Sequence, residues 1–244
     1  MERQKRPEEF PILYDLNTLG TLEEGRFLER PNRFVALAEL GGRTVRVHVA
    51  DTGRLEEILT PGRPLLLLRN RPGMKTDHTL VAARMEEGWV LINTRLHAPI
   101  ARRAIERGIL GFVPREIRSE VRYGASRFDY RADDAWVELK GCSLVLRGTC
   151  LFPNAPTTRG VRHLRELIAA REEGFDTILL IMGLRPCRCF MPHPERDPAF
   201  RKLFYEALEQ GVRYRGFSVG IDAKLRVVCR GKLERCGMGR IVSG

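Results

Sequence analysis

The first third of the chain alternates between short apolar-rich runs and turn signals. Residues 26–29, 34–40, 44–49, 64–70, 79–85 and 89–92 are rich in Val, Leu, Phe and Ile, and Pro31-Asn32, Gly41-Gly42, Pro61-Gly62, Pro72-Gly73 and Gly88 punctuate them. This pattern predicts strands joined by tight turns. Between the third and fourth runs, Asp51-Thr-Gly-Arg-Leu-Glu-Glu-Ile-Leu59 predicts a short helix, with Asp51 as a cap and acids in the opening turns. About five strands with one small helix in the middle suit a compact OB-like barrel.

After Asn93 the period changes. Residues 98–107 predict a helix with Ile100, Ala104 and Ile105 on one side and Gly108 as its stop. Residues 117–123, 126–131 and 136–140 predict three strands in quick succession, and 143–152 predicts a continuation of the same sheet. Residues 159–173 predict an amphipathic helix with Val161, Leu164, Leu167 and Ile168 inward. Residues 177–182 are continuously apolar, as in a strand buried on both faces. A helix over 199–209 and two further strands close the chain. The expected fold is therefore α+β/mixed: a barrel over residues 1–90 and an α/β domain with a mixed sheet over residues 91–244.

One hairpin carries the candidate chemistry. If Asp133-Asp134 forms a two-residue tip, Asp129 faces Glu138, and Arg127 and Lys140 share their side of the sheet. Phe128, Tyr130, Val137 and Leu139 then point to the other face, where a helix can cover them. Two opposed carboxylates repel, at a cost of roughly 0.2–1 kcal/mol or more when half buried. A hard cation between them, Mg²⁺ or Mn²⁺, would relieve this and would also take substrate phosphate. Lys140 would orient or deprotonate a water and offset charge on a phosphoryl group. Glu120 on the preceding strand supplies a third acid. The competing reading is a surface ladder of ion pairs among Asp129, Arg127, Glu138 and Lys140.

Charge sharpens this picture. The 244 residues hold 42 Lys+Arg against 31 Asp+Glu, a net +11. Residues 1–90 contain 14 of each sign, so the whole excess lies in residues 91–244, concentrated at 93–127 and 211–244. Such blocks invite a polyanion. Arg122, Arg127, Arg159 and Arg162 around the hairpin, and Arg33 and Arg54 in a local stripe of the neutral barrel, are the candidate nucleic-acid contacts. Arg159, Arg162 and His163 also open the predicted helix, where backbone N–H groups and side chains together favour phosphate, the competing reading being a plain solvated helix face.

No apolar run approaches the roughly 18 residues of a membrane helix, and the opening Met1-Glu-Arg-Gln-Lys-Arg carries no apolar signal region. A cytoplasmic protein with no membrane partner is expected. Six cysteines, at 142, 150, 187, 189, 229 and 236, have neither zinc-knuckle spacing nor the density of a disulfide scaffold, and are expected to be reduced structural thiols.

At the hairpin the chain resembles the sugar fermentation stimulation protein A family. The likeness is carried by Arg30-Pro-Asn-Arg-Phe34, His48-Val-Ala-Asp-Thr-Gly-Arg54, Lys75-Thr76, Ile92-Asn-Thr94, Glu120-Val-Arg-Tyr-Gly124, Ser126-Arg-Phe-Asp129, Glu138-Leu-Lys140, Leu151-Phe-Pro153, Thr158-Arg-Gly160, His163-Leu164 and Gly211-Val212, in that order. It implies an N-terminal OB-fold and a PD-(D/E)XK nuclease-like domain, DNA binding of low sequence specificity, and a link to sugar utilisation. It further implies metal binding by Asp129 and Glu138, a catalytic-type Lys140, and Glu120 as auxiliary acid. Three positions depart from the family pattern: Asn154 stands where Asp is usual, Ala125 where a basic residue is common, and His97 where Asn is usual. The resulting expectation is a DNA-binding protein, on single or double strands, with a Mg²⁺- or Mn²⁺-dependent phosphodiesterase site. The alternatives are a non-catalytic DNA-binding regulator of sugar metabolism on the same scaffold and an RNA or protein adaptor. A homodimer is a further expected assembly.

Overall fold

The computed structural model describes residues 10–124 and 126–237, so Ala125 lies outside the described residues. The chain divides into two compact units, Met1–Ile100 with Gly220–Arg230, and Ala101–Val219 with Gly231–Gly244. The strands are β1 (Ile12–Asp15), β2 (Leu22–Asn32), β3 (Val35–Leu40), β4 (Arg43–His48), β5 (Pro64–Arg69), β6 (His78–Met85), β7 (Gly88–Leu91), β8 (Ile117–Tyr123), β9 (Ser126–Ala132), β10 (Ala135–Cys142), β11 (Leu144–Leu146), β12 (Thr149–Phe152), β13 (Asp176–Gly183), β14 (Cys189–Pro192), β15 (Arg213–Ile221) and β16 (Arg226–Lys232). The helices are α1 (His97–Glu106), α2 (Thr158–Glu172) and α3 (Pro198–Glu209).

In the first unit the strand order β4-β3-β2-β5-β6-β7 closes through a parallel β4–β6 pairing, giving a five-strand OB-type barrel with β7 appended. β2 pairs on both sides, and a Cβ on Gly25 would lie 2.8 Å from the Glu39 carbonyl oxygen, so only glycine allows this approach. Phe27, Val47, Leu65, Leu67 and Leu80 fill the interior, each such side chain contributing about 1.5–3 kcal/mol on burial. The helix expected over residues 51–59 is absent. Arg30 takes the carbonyls of Asp51, Gly53 and Arg54, and Leu55 has φ +55°, so an i to i+4 ladder cannot propagate. The segment instead presses Leu55, Ile58 and Leu59 into the barrel.

In the second unit the sheet order is β15-β13-β10-β9-β8, with β10, β13 and β15 parallel and β9 antiparallel to both of its neighbours. Parallel strands buried on both faces explain the unbroken apolar run of β13. Residues 143–152 do not continue this sheet. β11 and β12 turn back on themselves and form a separate three-stranded sheet with β14. α2 and α3 build one core, in which Leu164, Leu167, Phe200 and Phe204 meet Trp136, Leu179 and Ile181. Among the described residues no helix is long and apolar enough to cross a membrane.

The cysteines are not all reduced. Cys142 pairs with Cys150, and Cys189 with Cys236. The first pair is joined by the tight β11–β12 return. The second, 47 residues apart, is brought together by a bridge between Phe190 and Arg235 that spacing could not reveal. Denatured, unreduced protein should therefore present two titratable thiols, Cys187 and Cys229, and reduction should lower stability by on the order of 2–4 kcal/mol per bridge. Six reactive thiols before reduction would contradict the pairing.

Candidate active site

The hairpin register is as expected at its tip. Ala135 faces Ala132, Trp136 faces Arg131 and Val137 faces Tyr130, with Asp133 at φ +50° in the turn. The ladder then ends. Beyond Tyr130 the Asp129 carboxylate accepts the Leu139 N–H at 2.7 Å, and the strands splay enough for Phe128 to come within 5.5 Å of Trp136, centroid to centroid. Phe128 therefore joins the Trp136 side of the sheet, while Tyr130 and Val137 are buried on the other face. The inward stripe of α2 lies against Trp136, Leu179 and Ile181, which are on the side of Glu138 and Lys140.

This placement determines the chemistry. Glu138 is only 2% exposed. Its Oε1 receives Lys140 Nζ at 2.5 Å and a short hydrogen bond from His163 Nδ1, on the second turn of α2. Lys140 Nζ also lies 3.1 Å from His163 Nδ1. Arg159 Nε donates to His163 Nε2 at 3.4 Å, so one tautomer, with the proton on Nδ1, satisfies both ring nitrogens. Burial alone would raise the Glu138 carboxyl, but the hydrogen bond from His163 and the charge of Lys140 outweigh it and hold the group below its ordinary value. Asp129 goes the other way. Burial first, and then the charge of Glu138, push its carboxyl up to about 6 against the pull of the Leu139 N–H and Lys140.

The remaining candidates are placed less uniformly. Glu120 has φ +56° within β8, where the β8–β9 ladder skips the step between Ser119 and Val121. Its exposed carboxylate pairs with Arg127 Nε at 2.7 Å, and its charge is felt by Asp129. Arg122 faces Arg127 directly across β8 and β9, a like-charge pair that an anion would relieve. Arg162 is spent partly on Glu166, 3.4 Å away on the same helix. Asn154 accepts from Arg196 through both its backbone and side-chain oxygens. His97 opens α1, and burial drives it down to about 4. Arg33 and Arg54 belong to the first unit, and the residues of this site to the second. His163 was legible in the sequence as part of a shared motif and, with Arg159 and Arg162, as a phosphate contact at the opening of the helix, but nothing in its spacing marks it as the partner of Glu138.

Asp129 and Glu138 are the residues that could hold a divalent ion. Asp129 Oδ2 and Glu138 Oε1 are committed, and the second oxygen of each carboxylate accepts no hydrogen bond from the described residues. No group of three or more His, Cys, Asp or Glu side chains converges among the described residues.

A closed OB-type barrel followed by a domain built on a mixed sheet, with acid, acid and lysine on one hairpin, defines the class, an OB domain together with a mixed α+β domain. The comparisons with known proteins agree. Residues 28–92 match the family model for the SfsA N-terminal OB domain, and residues 95–224 match that for the sugar fermentation stimulation protein RE domain. The sugar fermentation stimulation protein homolog of Sulfolobus acidocaldarius is 40% identical over 82% of this chain and 84% of its own. That of Methanococcoides burtonii is 39% identical over 78% and 83%. The structure of Pyrococcus furiosus SfsA in complex with Ca²⁺ superposes with a TM-score of 0.84 and 29% identity, covering 93% of this chain and all of that one. The chain belongs to the sugar fermentation stimulation protein family.

An unfolded aspartate ionises near 3.9, so the folded chain keeps the Asp129 proton to a higher pH. The stability that protonated Asp129 contributes is present at about pH 4 and is lost as pH rises through about 6. Asp129→Asn keeps an oxygen for the Leu139 N–H. It should stabilise the protein by on the order of 1–3 kcal/mol at about pH 7–8 and change it little at about pH 4. Thermal melts showing the same shift at both pH values would contradict the assignment.

Proposed function

We propose that the second unit is a Mg²⁺- or Mn²⁺-dependent phosphodiesterase acting on DNA held with low sequence specificity. The observation that carries this reading is the pairing of two inward carboxylates, Asp129 and Glu138, with Lys140 beside them and arginines around them. Asp129 and Glu138 would hold the ion, which when bound polarises a phosphoryl oxygen and lowers the barrier to attack. Lys140, fixed by its bond to Glu138, would orient the attacking water and offset charge on the phosphoryl group. His163 holds Glu138 in position, and Arg159 fixes the His163 ring in turn. Arg122 and Arg127, exposed on the rim, would take flanking phosphates. The Pyrococcus furiosus relative was solved as a complex with Ca²⁺, which supports a family taste for hard divalent ions.

A second reading, a DNA-binding regulator without catalysis, has one observation in its favour. At position 154, where the family usually has Asp, Asn154 is neutral and held by Arg196. Purified protein incubated with single-stranded DNA, duplex DNA and RNA in Mg²⁺ or Mn²⁺ separates the two. Cleavage should fall on the order of 10²–10³-fold in Lys140→Ala and be lost in Glu138→Ala. Activity unchanged in both variants would sink the site, and binding without cleavage would favour the regulator. In either case affinity should drop steeply between about 50 and 200 mM salt.

A further inference from the structure

The motifs Arg30-Pro-Asn-Arg-Phe34 and Asp51-Thr-Gly-Arg54 take no part in the site above, yet one side chain ties them together. Arg30 donates from Nη1 to the carbonyl oxygens of Gly53 at 2.8 Å and Arg54 at 2.9 Å, and from Nη2 to those of Arg33 at 2.6 Å and Asp51 at 2.8 Å. A single planar fork thus joins the tip of the β2–β3 hairpin to the loop after β4. The backbone around it is held further. Asn32 Oδ1 accepts the Phe34 N–H at 2.9 Å, Asp51 Oδ1 accepts the Gly53 N–H at 2.7 Å, and the Phe34 carbonyl accepts the Val49 N–H at 2.8 Å.

Asn32 and Val35 are the last facing pair, so Arg33 and Phe34 form a two-residue tip. Such tips favour Gly, Asn or Asp. Here the Phe34 ring is 45% exposed, and the Arg33 guanidinium carbon lies 4.9 Å from its centroid. Arg54, also exposed, is tethered through the same fork as Arg33. A rigidly mounted aromatic ring with one cation against it, and a second arginine tethered through the same fork, is complementary to a flat base joined to anionic groups. Strand type follows from charge and geometry. Residues 1–90 carry no net charge, so they offer less of the summed phosphate attraction that dominates duplex binding. A duplex also keeps its base faces stacked, whereas an unpaired base offers one.

We propose that the β2–β3 tip is a stacking platform for an unpaired nucleobase, with Phe34 supplying the ring, Arg33 and Arg54 the adjacent phosphate contacts, and Arg30 holding the parts in place without touching the ligand. The proposal rests on the nucleic-acid reading above and adds to it the type of strand that the barrel engages.

Fluorescence anisotropy tests it with three labelled probes of one length: an oligo-dT strand, the same backbone with abasic residues, and a duplex. The wild-type chain should bind oligo-dT more tightly than the abasic strand. Phe34→Ala should weaken oligo-dT binding by on the order of tenfold and leave the abasic strand and duplex unchanged, while Phe34→Tyr should retain wild-type affinity. An unchanged thermal midpoint in Phe34→Ala would show that the fold is intact. Equal loss on all three probes, no loss on oligo-dT, or equal wild-type affinity for oligo-dT and the abasic strand would each overturn the platform and leave the nucleic-acid reading standing. Absence of wild-type affinity for every probe would overturn both.

Discussion

Glu138 is a carboxylate carried into the interior by a strand that has no choice about where it points. β10 pairs parallel with β13 along its whole length, and the apolar neighbours of Glu138 on that face attract α2. An isolated buried carboxylate would neutralise itself or destabilise the fold. Lys140, two residues along the same strand, and His163, arriving from α2, supply the compensation. The hydrogen bond from His163 therefore does two things at once: it seats α2 against the sheet and keeps Glu138 ionised. Removing one partner from such a network leaves the others uncompensated, typically a loss of about 3–5 kcal/mol for a buried pair.

The same constraint separates the two acids. Lys140 and His163 satisfy Glu138, while Asp129 is left with one backbone N–H and the field of its neighbour. Their surroundings thus push the two carboxylates in opposite directions. Around it, Glu120 and Arg127 form an exposed pair and Arg122 faces Arg127. The outer ring of the site is thus basic and solvated, and the inner ring is acidic and dry. On the function proposed, the first would draw phosphate and the second a cation.

Much of this was legible from local rules. A two-residue turn allows only one register, so Asp133-Asp134 by itself places Asp129 and Glu138 near each other. The barrel strands were marked by their turn residues and the buried strand β13 by its lack of polar positions. What failed depended on distant parts of the chain. The helix expected at residues 51–59 lost its carbonyls to Arg30, some twenty residues earlier. Which face α2 would cover could not be read from the hairpin alone, because the splay beyond Tyr130 moves Phe128 to the other side. Cys189 and Cys236 were paired by a strand crossing. The pairing of His163 with Lys140 and Glu138 carried no local mark because those partners lie 23 and 25 residues upstream, on a different element.

Asp129 and Glu138, on the function proposed, act together as ligands for a hard divalent ion. Calorimetric titration of the full chain with Mn²⁺, for the wild-type protein, Asp129→Asn and Glu138→Gln, tests this without any substrate. One site per chain in the wild type, lost or greatly weakened in both variants while their folded cores persist, is the predicted result. Wild-type binding that survives both substitutions unchanged, or an absence of binding in all three, would contradict it.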